Sequence, residues 1–401
     1  MARTFVWPSL LFAALVAVTG CAEKITTPGR CPALCSNNDV QLADTLLTTA
    51  DSADATARGY VLMNEATFLA ASSLDSLRSV VLLRFSPLDS FWVQSATAAD
   101  TVLVASPPDS VLCVLQVGFR DTTVHPRLVF YRLPARFDTT MTYAQAQAFF
   151  ADSLVVDTAA VPDTGNMTFR MPTTLVAAPA DSGVVSLGIK VIADAPTAVG
   201  LASGHSGSTS PALSYFVHGQ APRDTLKRSL SVAPTFAAFA QAPAPGAAPP
   251  GELAIGGVPS AHTILHLALP KVAVDSAGIV RATLILTLVR PVVAFPHDSF
   301  YVQAYALLRD HGPKSVLYPD TSVTGVAKVN DGQAGTVQVD IARILRLWGR
   351  TAGDSLPHVI ELVVYGEGNH FGEVDVKGRS GGVGAPQLRV TYVKRYEYGV
   401  P

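Results

Sequence analysis

The chain has 401 residues, 49% of them hydrophobic and 15% charged, with a positive mean hydropathy, which is enough apolar material for two cores and excludes a disordered protein. Its 29 basic and 31 acidic side chains leave a net charge of -2, so no long-range field of either sign exists to hold nucleic acid or an anionic membrane surface. The 28 prolines and 30 glycines, scattered among segments rich in Val, Leu, Thr and Tyr with few runs at helical spacing, make this an all-β composition of short strands and turns.

At the N-terminus, Arg3 precedes an apolar run from Leu10 to Val18 that is too short to span a bilayer and ends at Val18-Thr19-Gly20-Cys21. This resembles the lipobox of bacterial lipoproteins, which implies a signal peptide over 1–20 and acylation of Cys21. The membrane is then a partner through that anchor. One acyl chain holds weakly and each buried methylene adds about 0.8 kcal/mol, so two or three chains make the attachment durable. Ala22 stands where an aspartate would signal retention at the inner membrane, and the resemblance therefore implies an outer-membrane address in the cell envelope. Residues 21–40 read as a polar, Pro-containing tether. Within it, Cys31 and Cys35 are close enough for a local disulfide, with separate thiols the alternative. Cys113 sits in an apolar run and reads as a small buried hydrophobe.

Beyond the tether the chain repeats itself. Asp44-Thr45-Leu46 opens the first copy and Asp224-Thr225-Leu226 the second. Ser79-Val80-Val81-Leu82-Leu83-Arg84-Phe85 corresponds to Thr263-Ile264-Leu265-His266-Leu267-Ala268-Leu269, and each run soon meets a proline, Pro87 or Pro270. Two further apolar strands follow, around Leu112 and Leu128 in the first copy and around Leu284 and Phe300 in the second, 16 positions apart in both; they read as a hairpin pair. After Asp340 the second copy places Ile341, Ile344, Leu345 and Trp348 on one helical face, with Asp340 as N-cap and Trp348 in the core. Pro172 shortens the equivalent turn of the first copy. Both copies close alike: Gly204-His205-Ser206-Gly207 leads to Pro211-Ala212-Leu213-Ser214-Tyr215-Phe216, and Gly378-Arg379-Ser380-Gly381-Gly382 leads to Pro386-Gln387-Leu388-Arg389-Val390-Thr391-Tyr392. The expected organisation is a first module over 41–219, a second over 220–396 and a tail over 397–401. The Ala/Pro segment from Gln241 to Gly251 looks like a linker by composition, but the alignment sets it opposite Arg58-Gly59-Tyr60, inside the second module.

The aliphatic-Arg-Phe strand end, the paired apolar strands, the Asp-capped turn with its Trp and the closing Pro-Gln-Leu-Arg-Val-Thr-Tyr together resemble the DNRLRE-type module. That resemblance implies two tandem jelly-roll-like antiparallel β-sandwich domains of the kind found on secreted and surface-anchored bacterial proteins, some regarded as carbohydrate-binding. Phe137-Asp138 stands where such modules often carry Trp and an acid, and Gly207 and Gly381 replace the acid that usually follows the loop serine.

The chemistry-bearing residues point away from catalysis. Gly204-His205-Ser206-Gly207 lacks the final glycine and following helix of a nucleophile elbow, and Arg379 replaces His205 in the other copy, so a shared turn is the better account. Glu361, Glu367, Glu373 and Asp375 could be imagined as glycosidase carboxylates, but on strands and turns they read as a solvated face. His297, His311, His358 and His370 lack ligand spacing, and no metal or other cofactor is expected. Trp92, Tyr143 and Tyr318 lie in turn-like surroundings and are the candidates for stacking on a sugar ring. The expected function is a non-enzymatic envelope lipoprotein that binds polysaccharide or mediates adhesion. Scaffolding of other envelope proteins is the alternative and a hydrolase the weaker one.

Overall fold

The computed structural model describes residues 42–48, 54–59, 62–75, 77–86, 91–94, 101–104, 108–134, 137–138, 140–177, 184–207, 211–218, 227–242, 249–270, 277–350, 356–379 and 383–394. The leader, the tether with Cys21, Cys31 and Cys35, and the tail 397–401 lie outside the described residues. The protein is mostly β, 56% strand and 10% helix, in antiparallel sheets that include two curled half barrels.

The strands follow from alternation. In Gly165–Met171 the side chains of Met167, Phe169 and Met171 are buried while Asn166, Thr168 and Arg170 face out, as a period of two requires. This strand pairs with Ser110–Arg120, whose other edge takes Ala198–Ala202 and Ala212–His218. The second copy repeats the arrangement: Ala277–Thr287 lies between Thr336–Asp340 and Gln387–Lys394. Likewise Val185–Ile192 lies between Arg78–Phe85 and Arg127–Arg132, and Val359–Val364 between Ala261–His266 and Ser299–Arg309.

The hairpins expected around Leu112 and Leu128, and around Leu284 and Phe300, do not form. Arg127–Arg132 pairs with Val185–Ile192 and Val155–Ala160, and Ser299–Arg309 with Val359–Val364 and Thr324–Asn330. The connection after each first strand carries the chain across the core, where both strands can bury an apolar face against each other without sharing hydrogen bonds.

Neither copy keeps its own opening strands. Leu42–Thr48 pairs along Gln387–Lys394, from Leu42↔Val393 to Thr48↔Gln387, and Ala55–Arg58 pairs with Ala261–His266. In return Lys227–Val232 pairs with Ala212–His218 and Pro234–Ala242 with Arg78–Phe85. The incoming strand enters a splayed hairpin in each half: Phe68–Ser73 and Arg78–Phe85 pair only at Ser72↔Ser79 and Ser73↔Arg78, and Glu252–Gly256 and Ala261–His266 only at Gly256↔Ala261. A hydroxyl bridges each opening at the same place, Ser79 Oγ to Ala70 O and Thr263 Oγ1 to Ala254 O, both 2.7 Å. Strand pairing thus crosses the division of the repeats expected at 219/220. Pro234–Ala242 and Glu252–Gly256, on either side of the Ala/Pro segment, belong to different sheets; residues 243–248 lie outside the described residues.

Each half has its own apolar cluster. The helix Ala342–Trp348 closes the second, with Ile341, Ile344, Leu345 and Trp348 buried as the spacing predicts. Asp340 Oδ1 accepts from Ala342 N at 2.9 Å, one of the helix's orphan donors. The corresponding helix of the first copy, Thr173–Ala177 after Pro172, is two residues shorter. Cys113 is fully buried and its thiol is free. Where the halves meet, Phe295 and Phe371 of the second copy join the first copy's core, with ring centroids 5.1 and 6.4 Å from Phe68 and 4.7 Å from Phe119 to Phe295. Gly200 makes room for this: a Cβ there would lie 3.1 Å from Phe295 Cζ and 3.2 Å from Phe119 Cβ.

Candidate binding groove

The outward faces of Gly165–Met171, Ser110–Arg120 and Ala198–Ala202 lead into the junction of the halves and form a groove of about 830 Å³, a size suited to a ligand. Its apolar part is the edge of the junction: Phe68, Phe119 and Phe295. Gly118, exposed, and Gly200, buried beneath Phe295 and Phe119, also line it. Its polar part comes from both halves, Gln116 and Asn166 from the first, Asp298, Asn369 and His370 from the second. Asn166 and Asn369 are exposed, and Phe119 is half-buried.

Backbone and side-chain bonds fix the two walls. Thr67 N donates to Gly368 O at 3.0 Å, and the Thr67 hydroxyl lies 2.8 Å from that oxygen and 2.7 Å from Asn369 Oδ1. His370 Nδ1 is buried without a hydrogen-bond partner, 3.8 Å from Asp298 Oδ2. A buried polar atom left in this state gains from any ligand group that reaches it. Apolar rings flanked by amides, an imidazole and a carboxylate can hold a polar molecule that has one apolar face.

The aromatic residues singled out from sequence lie elsewhere. Tyr143 opens the helix Tyr143–Gln147, half-buried against the cluster of Val80, Leu82 and Phe137. Tyr318 is half-buried against the second half's core, with its amide bonded to Ala306 O. These two sit on different halves. Trp92 belongs to Phe91–Gln94, whose backbone pairs with Thr101–Val104; its side chain lies outside what is described. The sequence between Ser203 and Gly207 is a turn: the Ser203 hydroxyl accepts from His205 N, Ser206 Oγ donates to Ser203 O at 2.7 Å, and Gly207 has φ +76°.

The acids of the second half require a correction, because they are not a solvated face. Glu361 and Asp375 are 5% and 3% exposed. The strand Ala55–Arg58 brings Arg58 over Glu373, with bonds of 2.7 and 2.8 Å to both carboxylate oxygens. Burial works against the Glu373 charge, but Arg58 outweighs it and holds that carboxyl below its ordinary value. Asp375 accepts from Arg290 Nε at 2.7 Å, lies 2.6 Å from its Nη2 and shares a hydrogen bond with Glu373; burial and the neighbouring Glu373 push it up to about 7. His262 lies between Glu361, 2.6 Å from its Nδ1, and Glu367 at its Nε2. Burial alone would lower that imidazole's pKa, and the two carboxylates raise it above the ordinary value. None of these groups lines the groove. They hold one another, as buried charges must. Among the described residues, no group of three or more His, Cys, Asp or Glu is placed to hold a metal ion.

No protein-family model matches the chain, and a search of curated proteins finds no match.

Proposed function

We propose that this protein is a non-enzymatic carbohydrate-binding lipoprotein of the bacterial envelope, carried at the outer membrane on acylated Cys21. Its two sheet systems are read as jelly-roll sandwiches of the DNRLRE type, and the sugar as lying in the groove where they meet. One observation carries this reading. The groove sets the rings of Phe68 and Phe119 beside the amides of Gln116, Asn166 and Asn369, the combination that receives the apolar face and the hydroxyl edge of a pyranose. The acids that could have served hydrolysis are bound to His262, Arg58 and Arg290, which favours binding over cleavage.

The test is a glycan array and polysaccharide pull-down with the acyl-free chain, made as Cys21→Ser. Gly118→Trp is the blocking variant: the nearest atom to a Cβ there is Gly200 O at 3.8 Å, so the ring enters the groove without straining the strand. Retention of a glycan by the parent and its loss in Gly118→Trp, with unfolding unchanged, is the expected result. Retention that survives the variant would remove the groove from the proposal, and co-purifying proteins without any glycan would turn it to scaffolding.

A further inference from the structure

A second cavity, of about 330 Å³, lies apart from the groove and is walled by both exchanged strands. Arg58 comes from the strand that the first copy lends, and Ala238 and Phe239 from the strand it receives. Leu82, Met63 and Met141 supply most of the remaining apolar surface. Two atoms of the lining residues are buried without hydrogen-bond partners, Arg58 Nε and Asn64 Oδ1. One is a donor and the other an acceptor.

We infer that this cavity binds a small uncharged molecule with an apolar body and one hydroxyl or amide group. Each Nη atom of Arg58 already donates to Glu373, so the cation is neutralised, and Nε is the guanidinium nitrogen left buried without a partner. Asp138, an exposed member of the lining, accepts at Oδ1 from Thr140, from its amide at 2.8 Å and its hydroxyl at 2.5 Å. A ligand carboxylate would meet Asn64 Oδ1 and Asp138 with no free cation to offset them. A ligand ammonium has no lone pair with which to accept from Arg58 Nε. A hydroxyl or a primary amide, by contrast, accepts from Nε and donates to Oδ1. The volume equals that of roughly ten waters at about 30 Å³ each, which is one ring and its substituent. The cavity exists only when both strands have been exchanged, so its occupant binds the assembled chain and favours that state.

Benzamide is the probe and benzoate its charged counterpart, followed by ligand-observed NMR on the full acyl-free chain. Benzamide should bind with Kd of about 1 mM or tighter, and benzoate at least about tenfold more weakly. Asn64→Leu should weaken benzamide about tenfold, and Met63→Trp should abolish its binding by filling the space. Equal binding of the two probes, no binding of benzamide to the folded chain, or benzamide binding that both variants leave unchanged would overturn the inference. If a variant fails to fold, the comparison of benzamide with benzoate on the parent chain still decides. Gly118→Trp should leave benzamide binding unchanged, so failure of this site and failure of the groove are distinguishable.

Discussion

Asp375→Asn should stabilise the protein above neutral pH. In the folded chain burial and Glu373 raise this carboxyl to about 7, against 3.8 for an ordinary aspartate, with Arg290 opposing the rise. Between those values the unfolded chain releases a proton that the folded chain keeps, so stability falls as pH rises through this window, and the whole penalty is present above it. A shift of about three units at 1.36 kcal/mol each sets an upper bound of about 4 kcal/mol. Glu373 and Asp375 share the effect, so about 2–4 kcal/mol is the expected gain. Asparagine preserves the shape and can still donate to Glu373. Glu373 itself runs the other way: held low by Arg58, it contributes stability that is lost as pH falls. Urea unfolding of parent and variant at about pH 4, 6 and 8 should therefore give curves that nearly coincide at the lowest pH and diverge as pH rises. Parallel pH profiles, or a variant that is weaker at pH 8, would refute the argument.

The strand exchange predicts that Leu46→Cys combined with Arg389→Cys, in a chain with Cys21, Cys31 and Cys35 changed to Ser, oxidises within a single chain. These two residues face each other in the register, and opposed residues of an antiparallel pair have Cα atoms about 4.5–5.5 Å apart, within the span a disulfide bridges. A ladder of intermolecular dimers, or no oxidation, would show that the opening strand pairs elsewhere. Trp348→Ala should cost ~3–5 kcal/mol, since the indole is 3% exposed and packs with Ile344 and Leu345; an unchanged urea midpoint would contradict that packing.

Much of the fold was legible because it repeats. The helical face of Ile341, Ile344, Leu345 and Trp348 is a local pattern that burial confirms, and of the strand positions spaced 16 apart Leu128, Leu284 and Phe300 are buried while Leu112 is half-buried. The exchange was not legible, for a physical reason: the two halves offer equivalent edges, so the alternation in Leu42–Thr48 suits a sheet of either copy. The buried acids were misread for a related reason. Glu361 and Asp375 do alternate with core residues, but their face is covered by Ala55–Arg58, from a distant part of the chain, and by His262, which ties Glu361 to the turn at Glu367. The groove left only faint marks in the sequence, Gly118 and Gly200 interrupting otherwise continuous strands. Gln116, Asn166 and Asn369 look like any outward-facing polar residue until the second half is set beside them.

The crossed opening strands also dictate an order of assembly. As the chain leaves the ribosome, the sheet begun by the first copy stays incomplete until residues 227–242 arrive to finish it. Leu42–Thr48 emerges before the other described strands and finds its seat only when Gln387–Lys394 has been made. Contacts spanning so much sequence form slowly, so an edge of exposed hydrogen-bonding groups persists for most of synthesis. A factor that shields nascent strands would act on this protein at its N-terminal end and would be released last.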